Sequence, residues 1–258
     1  MTHIDFLTKN YVYSVVGNRQ LLNDYSGFFN RKMDCVYLLD YNKLKEHLGN
    51  DYYSIILHKL SPILYEDLKN NFSFKIKQNF AYKNVIYFID DTFFSLSGHK
   101  YKKIRHALSY YKDYDIKLVI NDYNFTDIKE LAEEWKRVRE SKLVFLNMGL
   151  ERNYYDKYFD TKKNVVLKFY HKDKLIGYNV FENIDNNKFN LFFGRIDYDY
   201  NYFFYYMDYH TYKYIYENIT GGAPYYLNSG CGIGSLIDYK TKCFPVYCIE
   251  TLRDIKIL

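Results

Sequence analysis

Glycine and lysine residues near the C-terminal end form the first pattern that could do chemistry. The segment "NSGCGIGS" places Gly230, Gly232 and Gly234 after an apolar run, and Lys240 and Lys242 follow closely. Backbone N–H groups of such a turn can donate to a carbonyl or phosphate oxygen, and an ammonium group stabilises negative charge developing there. The alternative is a tight turn that needs glycine for positive φ. A dinucleotide fingerprint is not indicated, because the following helix and the later acidic residue are missing.

A basic segment, "SGHKYKKIRHALSYYKD" (97–113), is the second such pattern. No acidic residue occurs from Thr92 to Lys112, and the chain carries 36 Lys and Arg against 31 Asp and Glu, a net charge of +5. The five basic residues between Thr92 and Lys112 equal that excess, which favours a local anionic partner over a diffuse positive field. The candidate phosphate-binding residues are Lys100, Lys102, Lys103, Arg105 and Lys112.

The periodicity of this segment predicts an amphipathic helix with Ser97 as its N-cap. Tyr101, Ile104, Ala107, Leu108 and Tyr111 share one side of that helix. The opposite side carries Lys102, Lys103, Arg105, His106, Ser109 and Lys112. This basic side either contacts an anion or is simply solvated. The two histidines, His99 and His106, have no implied partner and are not catalytic candidates.

Composition narrows the class of protein further. The 33 Tyr and 20 Phe suggest either stacking platforms for bases or the codon preference of an AT-rich genome. The four cysteines are scattered and form no CxxC pair, so neither a disulfide framework nor a metal site is expected. We find no signal peptide and no apolar run long enough to span a membrane. A cytoplasmic protein is therefore expected.

Apolar and aromatic runs predict a mixed order of helices and strands. In the first half we predict strands at 35–41, 84–90 and 115–122, and a helix at 50–71 interrupted at Pro62. A helix at 126–142 has Ile128, Leu131, Trp135 and Val138 as its core-facing residues. The second half then predicts an antiparallel meander at 165–199 with turns at 171–174 and 185–188, a helix at 203–219, a strand at 225–230, a loop at 231–242 and a strand at 243–252.

The order of elements in the second half is the order expected of an N-acyltransferase of the GNAT type. The first half has a similar mixed pattern. The sequence therefore predicts an α+β fold of two tandem GNAT-like lobes, each a mixed, mostly antiparallel sheet flanked by helices. The lobes meet near residue 115: residues 1–115 include the basic helix, and residues 116–258 carry the active site.

The predicted central strand, 188–194, lacks the element that would hold coenzyme A. An ordinary GNAT enzyme cradles the pyrophosphate on a Gly-rich turn after this strand, and no glycine follows Gly194 before Gly221. Arg195 and Asp197 stand where GNAT substrates meet, and Asp197 could bind the donor's amino group. The alternative for these two is an ordinary ion pair. Glu182, on the preceding strand, is either a base or ammonium ligand or a solvent-facing residue.

Two segments resemble the C-terminal domain of lysylphosphatidylglycerol synthases. "SLSGHKYKKIRHALSYYKDY" resembles that family's Gly-Lys-x-x-(Arg/Lys)-x-x-Arg segment, and "YYLNSGCGIGSLIDYKTKCFPV" is similar to its closing signature. These enzymes are bacterial aminoacyl-tRNA-dependent transferases with tandem GNAT-like lobes, and the Fem peptidyltransferases are structural relatives. The resemblance implies that the donor is an amino acid esterified to the tRNA 3′ end, with no cofactor.

The resemblance also implies roles for single residues. Lys240 would stabilise the oxyanion or a terminal tRNA phosphate, with Lys242 assisting, and Asn228 would orient the donor or the loop. Lys102, Lys103 and Arg105 would contact tRNA phosphates. The acceptor is a peptide, a small molecule or a lipid head group; the membrane module usual in the family is missing, so a lipid would have to be reached from the membrane surface. Two other functions stay open, an acyl-CoA-dependent N-acyltransferase and a non-catalytic nucleic-acid- or protein-binding relative.

Overall fold

A computed structural model describes most of the chain beyond residue 76 and short strands before it. It divides the chain into two compact units, the first being Met1–Asn84 with Cys231–Ile237 and Cys248–Leu258, the second Val85–Gly230 with Asp238–Tyr247. The basic helix thus falls in the second unit, whereas the sequence predicted a boundary near residue 115. The described residues are 13–15, 29–31, 37–39, 55–60, 70, 76–139, 161–162, 164–232 and 235–257.

The first unit is described through short paired strands. They are β1 (Tyr13–Val15), β2 (Phe29–Arg31), β3 (Tyr37–Leu39), β4 (Ile55–Leu60) and the last part of β11 (Val246–Ile257). Strand β4 pairs antiparallel with β1 on one edge and with β11 on the other, and β2 pairs with β3. The helix predicted for 50–71 is wrong at β4, because the β-branched run there is fixed by strand partners on both edges. Most of the rest of that predicted helix lies outside the described residues.

The second unit is a mixed sheet flanked by helices, an α+β arrangement. Its neighbouring strands follow the order β5-β10-β9-β8-β7-β6. The elements are β5 (Ile76–Ile89), α1 (Asp91–Phe94), a 3₁₀ turn (His99–Tyr101), α2 (Lys102–Tyr110), β6 (Ile116–Ile120), α3 (Thr126–Arg139), β7 (Asn164–His171), β8 (Lys174–Asp185), β9 (Lys188–Ile196), α4 (Phe203–Tyr214) with a π turn (Ile215–Ile219), β10 (Tyr225–Gly232), α5 (Ser235–Cys243) and the start of β11. Residues 76–84 of β5, 231–232 of β10, 235–237 of α5 and 248–257 of β11 belong to the first unit.

The predicted meander is confirmed. Strands β6 to β9 pair antiparallel in sequence order, and β9 pairs parallel with β10. The turn between β7 and β8 is closed by Lys172 and Asp173, both at positive φ, as a two-residue hairpin requires. Helix α3 buries Ile128, Leu131 and Trp135 as predicted, but Val138 is 46% exposed.

Tyrosine supplies much of the core of the second unit. Tyr87, Tyr111, Tyr178, Tyr212 and Tyr225 are almost fully buried. Their hydroxyl groups find partners: Tyr225 donates to the Tyr212 carbonyl oxygen at 2.9 Å, and Tyr87 donates to the Lys240 carbonyl oxygen at 3.1 Å. A buried tyrosine fills volume with its ring and satisfies its polar tip. Part of the tyrosine excess in the sequence is therefore structural.

The predicted loop at 231–242 is wrong, since α5 occupies most of it. Asp238 and Lys242 face each other one turn apart, with 3.1 Å between their charged atoms. Lys240 is buried on another side of the helix and Lys242 is exposed. No helix within the described residues is long and apolar enough to span a membrane.

Candidate active site at the parallel strand pair

The parallel pair of strands positions the central residues of the candidate site. Tyr226–Asn228 of β10 pair with Lys188–Asn190 of β9. Two residues later Gly230 has φ +77°, a conformation that favours glycine. The Asn228 side-chain oxygen accepts a hydrogen bond from the Gly230 N–H at 3.0 Å, so Asn228 holds this turn of the chain in place.

Lys240 reaches the same turn from helix α5. Its Nζ donates to the carbonyl oxygens of Ser229 and Gly230, the latter at 2.9 Å. The residue is only 8% exposed. A buried ammonium group is costly without such partners, so the carbonyl pair keeps a charged donor at the end of the parallel strands.

A row of polar side chains crosses the sheet from β7 to β10. Asn164 of β7 lies opposite Glu182 of β8, and Glu182 lies opposite Asn190 of β9. Asn190 in turn lies opposite Asn228 of β10. Directly opposed residues on neighbouring strands point to the same face of the sheet. Asn164, Glu182 and Asn190 are buried. Glu182 is therefore not the solvent-facing strand residue that the sequence left open.

The structure links three of the predicted residues by direct contacts: Asn228 accepts from the Gly230 N–H, and the Gly230 carbonyl oxygen accepts from Lys240. Glu182 is related to Asn228 only by strand register, through Asn190 on the strand between them. An amide and an ammonium group beside a backbone turn can bind and polarise a substrate carbonyl. Among the described residues, no group of three His, Cys, Asp or Glu side chains could hold a metal ion.

A buried polar network supports the helix that carries Lys240. Asp208 of α4 accepts hydrogen bonds from Asn179 Nδ2 at 3.1 Å and from the Tyr239 hydroxyl at 2.8 Å. Burial raises the pKa of Asp208, while Asn179, Tyr239 and the charge of Lys240 act in the opposite direction. The neighbour of Lys240 on α5 is thereby tied to α4. The sequence analysis missed Asp208, whose signal is one acid in the aromatic run "FFYYMDYHTYKY".

The turn between β9 and α4 uses its backbone donors internally. The Asp199 N–H donates to Asp197 Oδ1 at 3.0 Å, and the Tyr200 N–H donates to the Asp197 carbonyl oxygen at 3.2 Å. The N–H groups of Phe203 and Tyr205, at the start of α4, bond to carbonyl oxygens three residues earlier. A pyrophosphate bound at a helix N-terminus uses N–H groups of this kind. In this closed turn, which lacks the glycines, four such donors are already bonded within the turn.

Arg195 lies at the carboxyl end of β9, and Asp197 directly follows that strand. Because β9 and β10 run parallel with Asn190 opposite Asn228, this is also the end at which Gly230 and Gly232 lie on β10. The guanidinium carbon of Arg195 lies 4.3 Å from the centre of the Trp135 ring. Asp197 pairs with Lys174 at 2.6 Å, and this hydrogen bond raises the pKa of Lys174.

Helix α2 has the predicted faces but a different beginning. Ile104, Ala107 and Tyr111 are buried, and Lys102, Lys103, Arg105, His106, Ser109 and Lys112 are exposed. The helix starts at Lys102 after a 3₁₀ turn whose cap is Gly98 at φ +87°, so Ser97 is not its N-cap. Glycine alone adopts that backbone conformation without strain.

The basic residues of α2 are not equivalent. Arg105 folds back and donates from Nη1 to the carbonyl oxygens of Leu96 and Gly98, the latter at 2.8 Å. Lys103 Nζ lies 5.8 Å from the centre of the Tyr205 ring, and Lys100 Nζ lies 5.9 Å from that of Tyr101. Lys102 and Lys112 are exposed at the two ends of the segment. Of the remaining predicted residues, Gly232 ends β10.

The fold and this site define an α+β protein built on a mixed sheet with one parallel strand pair. Solved structures with the same fold include L-PGS from Bacillus licheniformis, 11% identical, with a TM-score of 0.56 over 84% of this chain and 70% of that chain. The C-terminal domain of a putative lysylphosphatidylglycerol synthetase from Agrobacterium fabrum is 13% identical, with a TM-score of 0.53 over 78% and 66%. A conserved protein of unknown function from Bacteroides thetaiotaomicron is 16% identical, with a TM-score of 0.59 over 86% and 78%.

These likenesses show the fold, and they confirm the resemblance to lysylphosphatidylglycerol synthases; the division into two tandem GNAT-like lobes stays a prediction. No protein-family model matches the sequence. No curated protein matches it either.

Proposed function

We propose that this protein is an aminoacyltransferase that takes an amino acid from the 3′ ester of an aminoacyl-tRNA and passes it to an amine or hydroxyl acceptor. The two units would then be tandem GNAT-like lobes. The fold, shared with L-PGS, supports an acyl-transfer reaction in general, and the site described above supports this form of it. The acceptor class stays open among peptides, small molecules and lipid head groups.

The reaction needs positioning and charge stabilisation more than a protein nucleophile, because the ester is already activated. The acceptor attacks the ester carbonyl, a bond from carbon to nitrogen or oxygen forms, and the bond to the tRNA 3′ oxygen breaks. Lys240 stabilises the oxyanion, and Asn228 with Gly230 shapes the turn beside it. Glu182 binds the ammonium group of the donor or takes the proton that the acceptor loses. In either case that proton passes to the 3′ oxygen, directly or through Glu182, so that the 3′ oxygen leaves as a hydroxyl.

The observation that carries the proposal is the closed turn between β9 and α4. A coenzyme A pyrophosphate would need backbone donors that bond within the turn, at Asp199, Tyr200, Phe203 and Tyr205. The Lys240 site is nevertheless built, with its ammonium group buried and bonded to two carbonyl oxygens. A transfer site without a coenzyme A cradle favours a donor that binds through other contacts, as a tRNA does through its phosphates.

The exposed basic residues of α2 supply the electrostatic part of that binding. Lys102, Lys103 and Lys112 would contact phosphates, with Lys100 beside them. Arg105 is held by the Leu96 and Gly98 carbonyl oxygens, so its first role is to fix the start of α2. Lys242 lies on the same helix as Lys240 and would assist, although Asp238 already pairs with it.

The test is incubation of the protein with charged tRNAs, radiolabelled one amino acid at a time, in cell lysate. We expect label to move to a non-RNA product for at least one amino acid, and to stop moving after RNase treatment or in the Lys240→Ala variant. Calorimetry with acetyl-CoA is the second arm and should give no heat at millimolar ligand. Transfer that survives RNase, or clear acetyl-CoA binding, would overturn the proposal.

A further inference from the structure

Exposed rings from α2, from the turn after it and from the start of α4 lie close to the basic residues. Tyr110 is 44% exposed, Tyr114 38% and Tyr202 48%. His106, one turn before Tyr110, is exposed too. Large exposed apolar groups that cluster mark an interaction surface more often than single ones do. We call the four residues His106, Tyr110, Tyr114 and Tyr202 the aromatic stripe.

The rings of the aromatic stripe contact one another in a row. Tyr110 and Tyr114 stack with ring centres 5.7 Å apart and planes 28° apart. His106 lies 6.3 Å from Tyr110 and meets Tyr202 edge-on at 4.7 Å. The row therefore runs from Tyr202 through His106 to Tyr110 and Tyr114, along the exposed side of α2.

A buried residue supports this row from below. Tyr111 is 1% exposed, and its ring lies 4.9 Å from that of Tyr110 and 5.0 Å from that of Tyr114. Its hydroxyl donates to the Asn201 carbonyl oxygen at 2.6 Å, directly before Tyr202. The rings are thus held by a packed side chain, which lowers the entropy that a ligand must remove on binding.

One member of the stripe is held in a costly conformation. Tyr202 has φ +62° and ψ 4°, in the left-handed region that bulky residues rarely adopt. A smaller residue would satisfy this turn better. Backbone strain that exposes a large ring is an observation from which function can be inferred.

Basic residues accompany the part of the stripe on α2, whereas Asp113 and Asp115 flank Tyr114. Lys102 precedes His106 by one turn, and Lys112 follows Tyr110 by two residues; no acidic residue separates them. We infer that the aromatic stripe, with these lysines, binds unpaired nucleotides of an RNA single strand, their bases stacking on the rings and their phosphates contacting the ammonium groups. This combination is how proteins bind single strands without reading sequence. The inference rests on the proposed function, in which that strand is the unpaired 3′ end of the tRNA.

The experiment measures the affinity of a fluorescently labelled single-stranded RNA ending in CCA, and of uncharged tRNA, by anisotropy. Tyr110→Ala should weaken binding of the single strand between about fivefold and about a hundredfold, because one base–ring stack is lost. Tyr110→Phe keeps the ring and should keep the affinity. Tyr247→Ala is the matched control: Tyr247 is 43% exposed and packs on Tyr226 at 5.0 Å, outside the stripe.

Salt dependence separates stacking from charge. Lys102→Ala should reduce the slope of log affinity against log salt by roughly 0.7 for a single strand, whereas Tyr110→Ala should leave that slope unchanged. A blunt RNA duplex, whose bases are paired, should bind through the lysines and be insensitive to Tyr110→Ala. Thermal melting of each variant checks that it is folded.

The outcomes distinguish this inference from the proposed function. If RNA binding depends on the rings but no amino acid is transferred, the aromatic stripe is supported and the transferase proposal is wrong. Transfer from aminoacyl-tRNA with unchanged affinity in Tyr110→Ala and Tyr202→Ala would overturn the stripe alone. Vesicles of equal parts phosphatidylglycerol and phosphatidylcholine form the last arm. If Tyr110→Ala weakens vesicle binding and not RNA binding, the stripe contacts a membrane surface and the inference is wrong.

Discussion

Lys240 Nζ lies 2.9 Å from the carbonyl oxygen of Gly230, which joins helix α5 to the end of strand β10. The contact keeps a positive charge beside a backbone turn held by Asn228. It is also what distinguishes Lys240 from Lys242, which is exposed and pairs with Asp238 on its own helix.

This contrast gives the first prediction. Lys240→Met keeps the length of the side chain but removes the charge, so transfer should slow by about 10²- to 10³-fold, the loss typical of one oxyanion donor. Lys242→Met removes an exposed charge from the same helix and should retain most of the activity. Single-turnover rates with labelled aminoacyl-tRNA measure both. Equal losses in the two variants would contradict the role given to Lys240.

The second prediction concerns the network below the site. A Cβ atom at Gly194 would lie under 3.0 Å from Asn179 Oδ1, closer than real Cβ atoms come. Gly194→Ala should therefore lower the free energy of unfolding by about 1–3 kcal/mol, since the Asn179 contact to Asp208 must shift. Urea denaturation measures the change.

A double-mutant cycle tests the cause of that loss. In an Asn179→Ala background the crowded oxygen is gone, so Gly194→Ala should cost much less than it does in the wild type. Additive losses from the two substitutions would show that the crowding lies elsewhere.

The sequence predicted most of the second unit because its signals there are local. Alternating apolar residues and turn formers define β7, β8 and β9, and the 3.6-residue period defines α2. The sequence-based prediction failed at β4 and α5. The short apolar run at β4 fits both a helix and a strand, and the run at α5 fits both a helix and a loop. In each case the tertiary contacts decide between the two. Periodicity alone contains no information about those contacts.

The candidate site was predictable in part for the same reason. Lys240 and Asn228 follow from their place around a glycine turn. Asn190 and Asp208 could not be predicted in this way. Their roles depend on strand register and on helix packing, which bring together residues distant in sequence. Arg195 lies at the end of β9 as the sequence predicts, but its contact with Trp135 could not be predicted, because it depends on the packing of α3 against the sheet.

The third prediction concerns pH and follows from His210 on α4. Burial, together with the positive charge of Lys213, lowers the pKa of His210 from its ordinary 6.5 to about 4. Its ring packs on Tyr206 at 4.3 Å. The unfolded chain binds a proton below pH 6.5 and the folded chain does not, so stability is present above that pH and is lost as the pH falls toward 4. The loss should reach about 3 kcal/mol.

Denaturant titrations between pH 7 and pH 4 measure this slope. His210→Phe keeps the aromatic contact and removes the titrating group. The free energy of unfolding of this variant should therefore fall by about 3 kcal/mol less than that of the wild type between pH 7 and pH 4. A variant whose pH dependence equals that of the wild type would show that His210 is not the group responsible.

The fourth prediction separates two roles of Arg105. Its bonds to the Leu96 and Gly98 carbonyl oxygens fix the start of α2, so Arg105→Gln should lower the free energy of unfolding by about 1–2 kcal/mol. Lys102→Gln, on the same exposed face, should change stability by less than about 0.5 kcal/mol. Thermal melts rank the two. If both variants melt at the same temperature as the wild type, the Arg105 contacts do not stabilise the start of α2.

The last prediction uses the strained backbone of Tyr202. At most positions alanine is more stable than glycine, but at φ +62° the Cβ atom itself is penalised, by about 1–2 kcal/mol. Tyr202→Gly should therefore be more stable than Tyr202→Ala, although both lose the edge contact with His106. Both variants should bind single-stranded RNA equally weakly, because both lack the ring. If glycine gives the more stable protein and tyrosine gives the tighter RNA binding, the strained tyrosine is retained for binding. If the alanine variant is more stable than the glycine variant, the backbone at residue 202 is not strained.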